Sequence, residues 1–242
     1  MKRILIASFL VAVSSFIAFG QTPSRAELLN EMETKRAELA KLETQFLSPS
    51  AEDRAAYAEF LAQPDTGLIR LLPREKFDTT PSKLGLTIRG GGAYYSFVRL
   101  THEYGYGSDI ELSSGYLSVG FAGADYGMLI KLDGARLEDI SSALPGVAFL
   151  AKYNAATTEP EARIEQRRFG TGTVIDGATY KERVPVEVGA TYVLRSIDFD
   201  TSDILVAFRV VRQDTDGSLI IAWRMLEKYP TPRLARNNQI AN

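Results

Sequence analysis

The sequence predicts an α+β protein, predominantly β. An N-terminal helical segment (helix, break, helix) leads into antiparallel sheet or barrel-like regions with one short intervening helix. Three observations predict it. Leu28, Met32, Lys35, Leu39, Leu42 and Phe46 recur at alternating spacings of four and three, a heptad seam with one lysine in it. Short apolar stretches broken by glycine fill residues 85–140, the punctuation of an antiparallel sheet, sandwich or barrel. Beyond residue 170 five further strand-like stretches follow, and the last two flank Asp214-Thr215-Asp216-Gly217, a hairpin signal.

The chain begins with what reads as an address. Lys2 and Arg3 precede an uncharged run from Ile4 to Phe19, and Ala18 and Gly20 place small residues at −3 and −1 before Gln21. That pattern predicts a secretory signal peptide over residues 1–20, cleaved before Gln21, and a secreted or periplasmic protein. The run is shorter than the roughly 20 apolar residues that span a bilayer, so a retained N-terminal anchor is the lesser alternative. No other stretch predicts a transmembrane helix.

Residues 21–64 form the expected helical segment. Glu31 and Lys35 make a supporting pair at i,i+4. Ser48-Pro49-Ser50 breaks the helix, and Ser50 with Asp53 resembles an N-cap and its acidic third position. A second helix is expected to run to Gln63, with Tyr57, Phe60 and Leu61 as its apolar stripe. The seam supports either a coiled coil that self-associates or a helical hairpin packed on its own β-domain. The break at Pro49 favours the hairpin.

Residues 65–150 read as a Gly/Tyr-rich antiparallel region. Its strands are expected over Leu86–Arg89, Ala93–Leu100, Asp109–Leu112, Tyr116–Phe121 and Tyr126–Leu132. Residues 151–227 read as a short helix, Glu159–Phe169, followed by a meander. Thr158 is its N-cap, Pro160 sits in its first turn and Gly170 lies just past its end. The meander strands are Thr171–Asp176, Thr179–Val188, Thr191–Phe199, Asp203–Arg212 and Ser218–Leu226. Ile204, Val206, Phe208 and Val210 alternate with Leu205, Ala207, Arg209 and Val211, so both faces are largely apolar. A strand apolar on both faces is a covered or central one. Residues 228–242, with Pro230 and Pro232, read as an extended or disordered tail.

Composition narrows the chemistry. The 242 residues include no cysteine and one histidine, which removes disulfides, thiol nucleophiles and sites built on several imidazoles. The charge of −2 from 28 basic and 30 acidic residues gives no basic excess for nucleic acid. No stretch matches GxSxG, GxGxxG or GxxxxGK[ST], and His102-Glu103 cannot open HExxH because Tyr106 stands where the second histidine belongs. Neither a cofactor nor a metal is expected. The aspartates at 198, 200 and 203, and at 214 and 216, resemble fragments of calcium loops but lack the distal glutamate, so turn chemistry accounts for them.

Three groups of residues remain as site candidates. Tyr94, Tyr95, Tyr104, Tyr106, Tyr116 and Tyr126 crowd between positions 94 and 126 among glycines. They suit a glycan or partner surface, or else simply occupy strand positions. His102, Glu103 and Asp109 are the least unlikely catalytic set, as a base with an acid or as a carboxylate pair. Arg195, Arg209 and Arg224 lie on successive strands, where like charges on one face would call for an anion, a partner or nearby acids. The sequence therefore favours an exported, non-enzymatic binding or envelope-structural protein, contacted through the Gly/Tyr-rich surface. Its partners would be a glycan or an envelope protein, with self-association through the N-terminal helix. The alternatives are a carbohydrate-active hydrolase using carboxylates near residues 94–126, and an assembly subunit held by sheet-edge pairing.

Overall fold

A computed structural model describes residues 23–78, 88–102, 104–105 and 107–235. The signal-like residues, half of the expected strand at 86–89, Glu103, Tyr106 and the last seven residues lie outside the described part. The chain divides into two compact units, residues 1–43 and 44–242.

The first unit is carried by α1 (Arg25–Leu47), whose last turn belongs to the second. Every residue from 25 to 42 is exposed. The seam residues Leu28, Met32, Leu39 and Leu42 are among them, and the Lys35 ammonium lies 3.2 Å from Glu31. Among the described residues no helix is long and apolar enough to cross a membrane.

The second unit is mixed helix and antiparallel strand, without a closed barrel among its described residues. The break after Leu47 ends α1, and Ser50 caps α2 (Ala51–Ala56) as its sequence suggests. Ser50 Oγ accepts from Asp53 N at 3.1 Å, and the Asp53 carboxylate accepts from Ser50 N at 3.3 Å. The expected single second helix is interrupted at Tyr57 and resumes as α3 (Ala58–Leu61). Phe60 still enters the core, and Tyr57 and Leu61 pack against it.

β1 (Thr66–Leu71), β5 (Tyr126–Leu132), β9 (Thr191–Asp198), β10 (Ser202–Gln213) and β11 (Leu219–Lys228) form one sheet in the order β1-β11-β10-β9-β5. β10 is central, as its two apolar faces require. Leu205 and Ala207 join one core, while Val206, Phe208 and Val210 join the other. Each such side chain, fully buried, contributes about 1.5–3 kcal/mol. One face is covered by Phe60 and by α5 (Val147–Lys152) and α6 (Glu159–Thr171), through Val147, Leu150 and Phe169. The other face is covered by a second sheet of β2 (Tyr94–Tyr95), β3 (Ile110–Ser113), β4 (Tyr116–Ser118) and β8 (Arg183–Pro185), through Ile110, Leu112, Leu117 and Val184. β6 (Thr173–Ile175) and β7 (Ala178–Tyr180) make a separate hairpin.

Several boundaries move. The expected strand over residues 93–100 pairs with β3 only at Tyr94 and Tyr95, because the chain turns back on itself there, with Leu100 N donating to Ser96 O and Ser96 bridging Thr101. α6 runs past Gly170 and ends at Gly172, whose φ of +90° suits glycine. The expected single strand over residues 179–188 is split. β7 pairs with β6, Lys181 bridges to Leu129, and β8 pairs with β4. β1 and the short α4 (Arg74–Phe77) occupy a stretch whose turn signals hid them.

Candidate functional site

β5 is the edge strand next to β9. On its outer side Leu129 exchanges two backbone bonds with Lys181, of 2.7 and 3.1 Å. Antiparallel alternation then points the N–H and C=O of Lys131, two residues on, away from β9 as well. Across from Lys131 stands Thr179. The β6–β7 hairpin turns at Asp176-Gly177, both at positive φ. A two-residue turn bonds Ile175 to Ala178 and leaves Thr179 a wide-pair position in the hairpin. Its backbone groups therefore face β5. Yet β5 and β7 do not pair, and the ladder stops at the one Leu129–Lys181 bridge.

The turn before α5 accounts for the gap. Gly146 has φ of +83°, and a Cβ placed there would lie 2.9 Å from Ile130 Cδ1 and 3.9 Å from Ala178 Cβ. The Gly146 carbonyl accepts from Tyr180 Oη at 2.7 Å. The turn is thus seated between the side chains of β5 and β7 on the helical face. What remains is an open groove of about 680 Å³, within the range of ligand sites. Ile130, Leu132, Leu144 and Ala178 line one side and Val184 and Tyr192 the other. Tyr192 Oη donates to Pro185 O and accepts from Glu187 N, both at 3.0 Å, which ties the strap after β8 to the sheet. At the rim the Lys131 ammonium is held by Asp133 and Glu187 at 2.8 Å each. A second hollow of about 700 Å³ beside Arg233 is polar, and the N-terminus of α6 that borders it is already capped by Thr158 and Glu161.

No protein-family model, curated protein or solved structure matches the chain. The groove must therefore be judged on its own chemistry. It offers an apolar floor, an outward-facing backbone edge at Lys131 and an ion-paired rim.

The tyrosines named from the sequence do not share a surface. Tyr94, Tyr95 and Tyr126 are 3%, 6% and 1% exposed. Tyr94 Oη donates to Glu111 at 2.6 Å, and Arg74 bonds the same carboxylate oxygen at 3.0 Å. Tyr95 packs edge-on against Phe97 and His102. Tyr126 Oη accepts from Ala156 N at 2.8 Å. Tyr104 lies between Tyr94 and the Arg89 guanidinium. Of the five that are described, Tyr104 is half-buried and Tyr116 is exposed, beneath Arg183.

His102 is a fold element. Its Nε2 lies 2.8 Å from Arg70 O, so that nitrogen carries the proton and donates to the edge of β1. Burial holds its imidazole below the ordinary 6.5. Asp109 is wholly buried, and its Oδ2 accepts from Phe97 N at 2.7 Å. Its Oδ1 finds no donor in hydrogen-bonding geometry. The Asp198 carboxyl sits against it, with Ser96 and Ser196 alongside. Burial lifts Asp109 from 3.8 to about 6, and burial followed by the Asp109 charge lifts Asp198 as well. A proton held between the two acids supplies the missing donor. Asp125, which accepts from Phe199 N at 2.9 Å, is lifted by burial to about 6. Among the described residues no group of three His, Asp or Glu is disposed to hold a metal.

The three arginines do share a face. Arg209 stands opposite Ala222, Arg224 opposite Ala207, and Arg195 opposite Leu205. Their partners are internal. Arg195 is 1% exposed, forks onto Asp203 at 2.5 and 2.9 Å, donates to Leu150 O and lies over the Tyr229 ring. Arg209 donates to Ala135 O and Thr191 Oγ1, and Arg224 to Glu138 O. None of the groove residues stood out in the sequence. The one signal for them was the pairing of Pro145-Gly146 with Asp176-Gly177, two turn dipeptides that the fold brings together.

Proposed function

We propose that this chain is an exported, non-enzymatic binding or envelope-structural protein whose ligand lies in the groove beside β5. One observation carries the reading. The groove joins an apolar floor to an unpaired strand edge at Lys131, while the tyrosines that suggested a different surface are mostly committed to the core. The hydrolase alternative gains nothing from the fold, since Asp109 has no exposed surface to offer a substrate. The exposed seam of α1 supports self-association of the mature chain.

Anilinonaphthalene sulfonate, an apolar fluorescent dye, tests the groove. It should bind the mature chain, and Leu144→Trp, which fills the floor, should abolish the signal. Equal binding by both proteins would refute the assignment. Sedimentation tests α1, and a strict monomer at high concentration would refute self-association. Fractionation of the native host tests export.

A further inference from the structure

A strand edge carries backbone N–H and C=O groups that must bond to something, and folds usually cover them. The other edge of this sheet is covered. Arg70 O on β1 accepts from His102, and Leu72 N, just beyond β1, donates to Gly92 O at 3.1 Å. Among the described residues β5 is bridged on its outer side at Leu129 alone. From Lys131 onward its edge opens into the groove, and the Thr179 edge faces it without pairing. Lysine on an edge strand ordinarily deters strand addition. Here its ammonium is paired with both Asp133 and Glu187, so it presents no free positive charge at the rim.

We infer that the groove accepts an extended segment of another polypeptide as an added strand, bonded to the Lys131 backbone, with an apolar side chain against Leu144, Gly146 and Ala178. This deepens the reading of the groove as a ligand site and rests on it. The outward N–H and C=O of Lys131 match one hydrogen-bonded pair of an extended peptide. Small apolar ligands would leave both groups unbonded. The alternation of side chains on such a strand matches the two lined sides of the groove, Ile130 with Ala178 on one and Val184 with Tyr192 on the other. The Leu129–Lys181 bridge closes the seam at one end and fixes where the added strand must stop. A second copy of β5 is excluded as the occupant. Each β5 edge is walled by its own β6–β7 hairpin, so two such edges cannot approach without moving both hairpins.

The test uses the full mature chain and a capped, fluorescein-labelled hexapeptide of alternating valine and threonine, followed by anisotropy. A second peptide of the same sequence is N-methylated at alternate residues, so that it keeps the side chains and loses the donors. Lys131→Ala keeps the outward N–H and loses the ammonium. Lys131→Pro loses the N–H but leaves the bonds to β9 intact, since those belong to the neighbouring residues. The plain peptide should bind wild type and Lys131→Ala alike. The N-methylated peptide, and the plain peptide on Lys131→Pro, should bind about tenfold more weakly or not at all. An unchanged Trp223 unfolding midpoint certifies that Lys131→Pro is folded. If that variant unfolds, the two peptides on wild type decide alone. Equal binding of both peptides, or of neither, overturns the inference. If neither binds while dye binding remains sensitive to Leu144→Trp, strand addition falls and the groove reading stands. If the dye is indifferent to Leu144→Trp, both fall.

Discussion

Replacing Asp109 by asparagine should stabilise the protein at pH 7 relative to pH 4.5. Asp109 is buried beside Asp198, and its carboxyl titrates at about 6 instead of 3.8. Because the folded state holds the proton more tightly than the unfolded chain, stability is fully present below about pH 4 and is lost as the pH rises through about 6. With those two values, ionising Asp109 costs the folded state about 1 kcal/mol at pH 4.5 and about 3 kcal/mol at pH 7. About 2 kcal/mol therefore disappears over that interval through this one carboxyl. Asparagine fits the site. Its Oδ1 can accept from Phe97 N as Asp109 Oδ2 does now, and its amide can donate to Asp198. Urea unfolding followed through Trp223, the one tryptophan and 5% exposed, reads the difference. Relative to wild type, Asp109→Asn should gain about 2 kcal/mol more at pH 7 than at pH 4.5. Comparing the two proteins at each pH cancels the titrating groups that Asp109 does not touch, leaving the Asp109–Asp198 pair. An equal difference at both pH values would refute the buried acid pair.

Asp203→Ala should cost about 3–5 kcal/mol in the same assay, because it leaves the Arg195 guanidinium buried without its carboxylate. A loss below about 1 kcal/mol would mean that Leu150 O and the Tyr229 ring suffice for Arg195. Asp53→Ala removes the capping-box carboxylate that accepts from Ser50 N and the fork from Arg212, and should cost about 1–2 kcal/mol at pH 7. The Arg212 guanidinium holds Asp53 below the ordinary 3.8, so this share is present at neutral pH and fades as the pH falls below about 4. His102, held low by burial, should titrate below 6.5 by NMR, and its share of stability is lost as the pH falls through that value. A midpoint at or above 6.5 would contradict its place against Tyr95 and Arg70.

Local periodicity carried much of the fold because it records which face of an element is buried. β10 was legible as a covered strand since Ile204 to Val210 is apolar at every position but Arg209, and the fold puts both faces against cores. The capping residues Ser50 and Thr158 were legible because a cap is a contact over three residues. The tyrosine cluster misled for a related reason. Composition tells that Tyr94, Tyr95 and Tyr126 favour strands with a polar tip to satisfy, but it is silent on whether the tip meets water or Glu111. Asp109 likewise offered itself as an exposed acid, and only the fold sets it against Asp198, far away in the chain.

The groove was illegible for a deeper reason. Residues 179–188 look like one strand because nothing in their alternation changes, yet they serve three neighbours in turn: β6, then Leu129, then β4. Period two specifies a face and never a partner. A strand that changes partners must leave its former neighbour at some point, and the place where it leaves is a strand edge without a ladder. Here that place is Lys131 opposite Thr179, held open by Gly146, whose positive φ lets the chain turn between Ile130 and Ala178. The same partner exchange that hid two strand boundaries in the sequence therefore creates the opening in the sheet, and the site exists because the strand is not continuous.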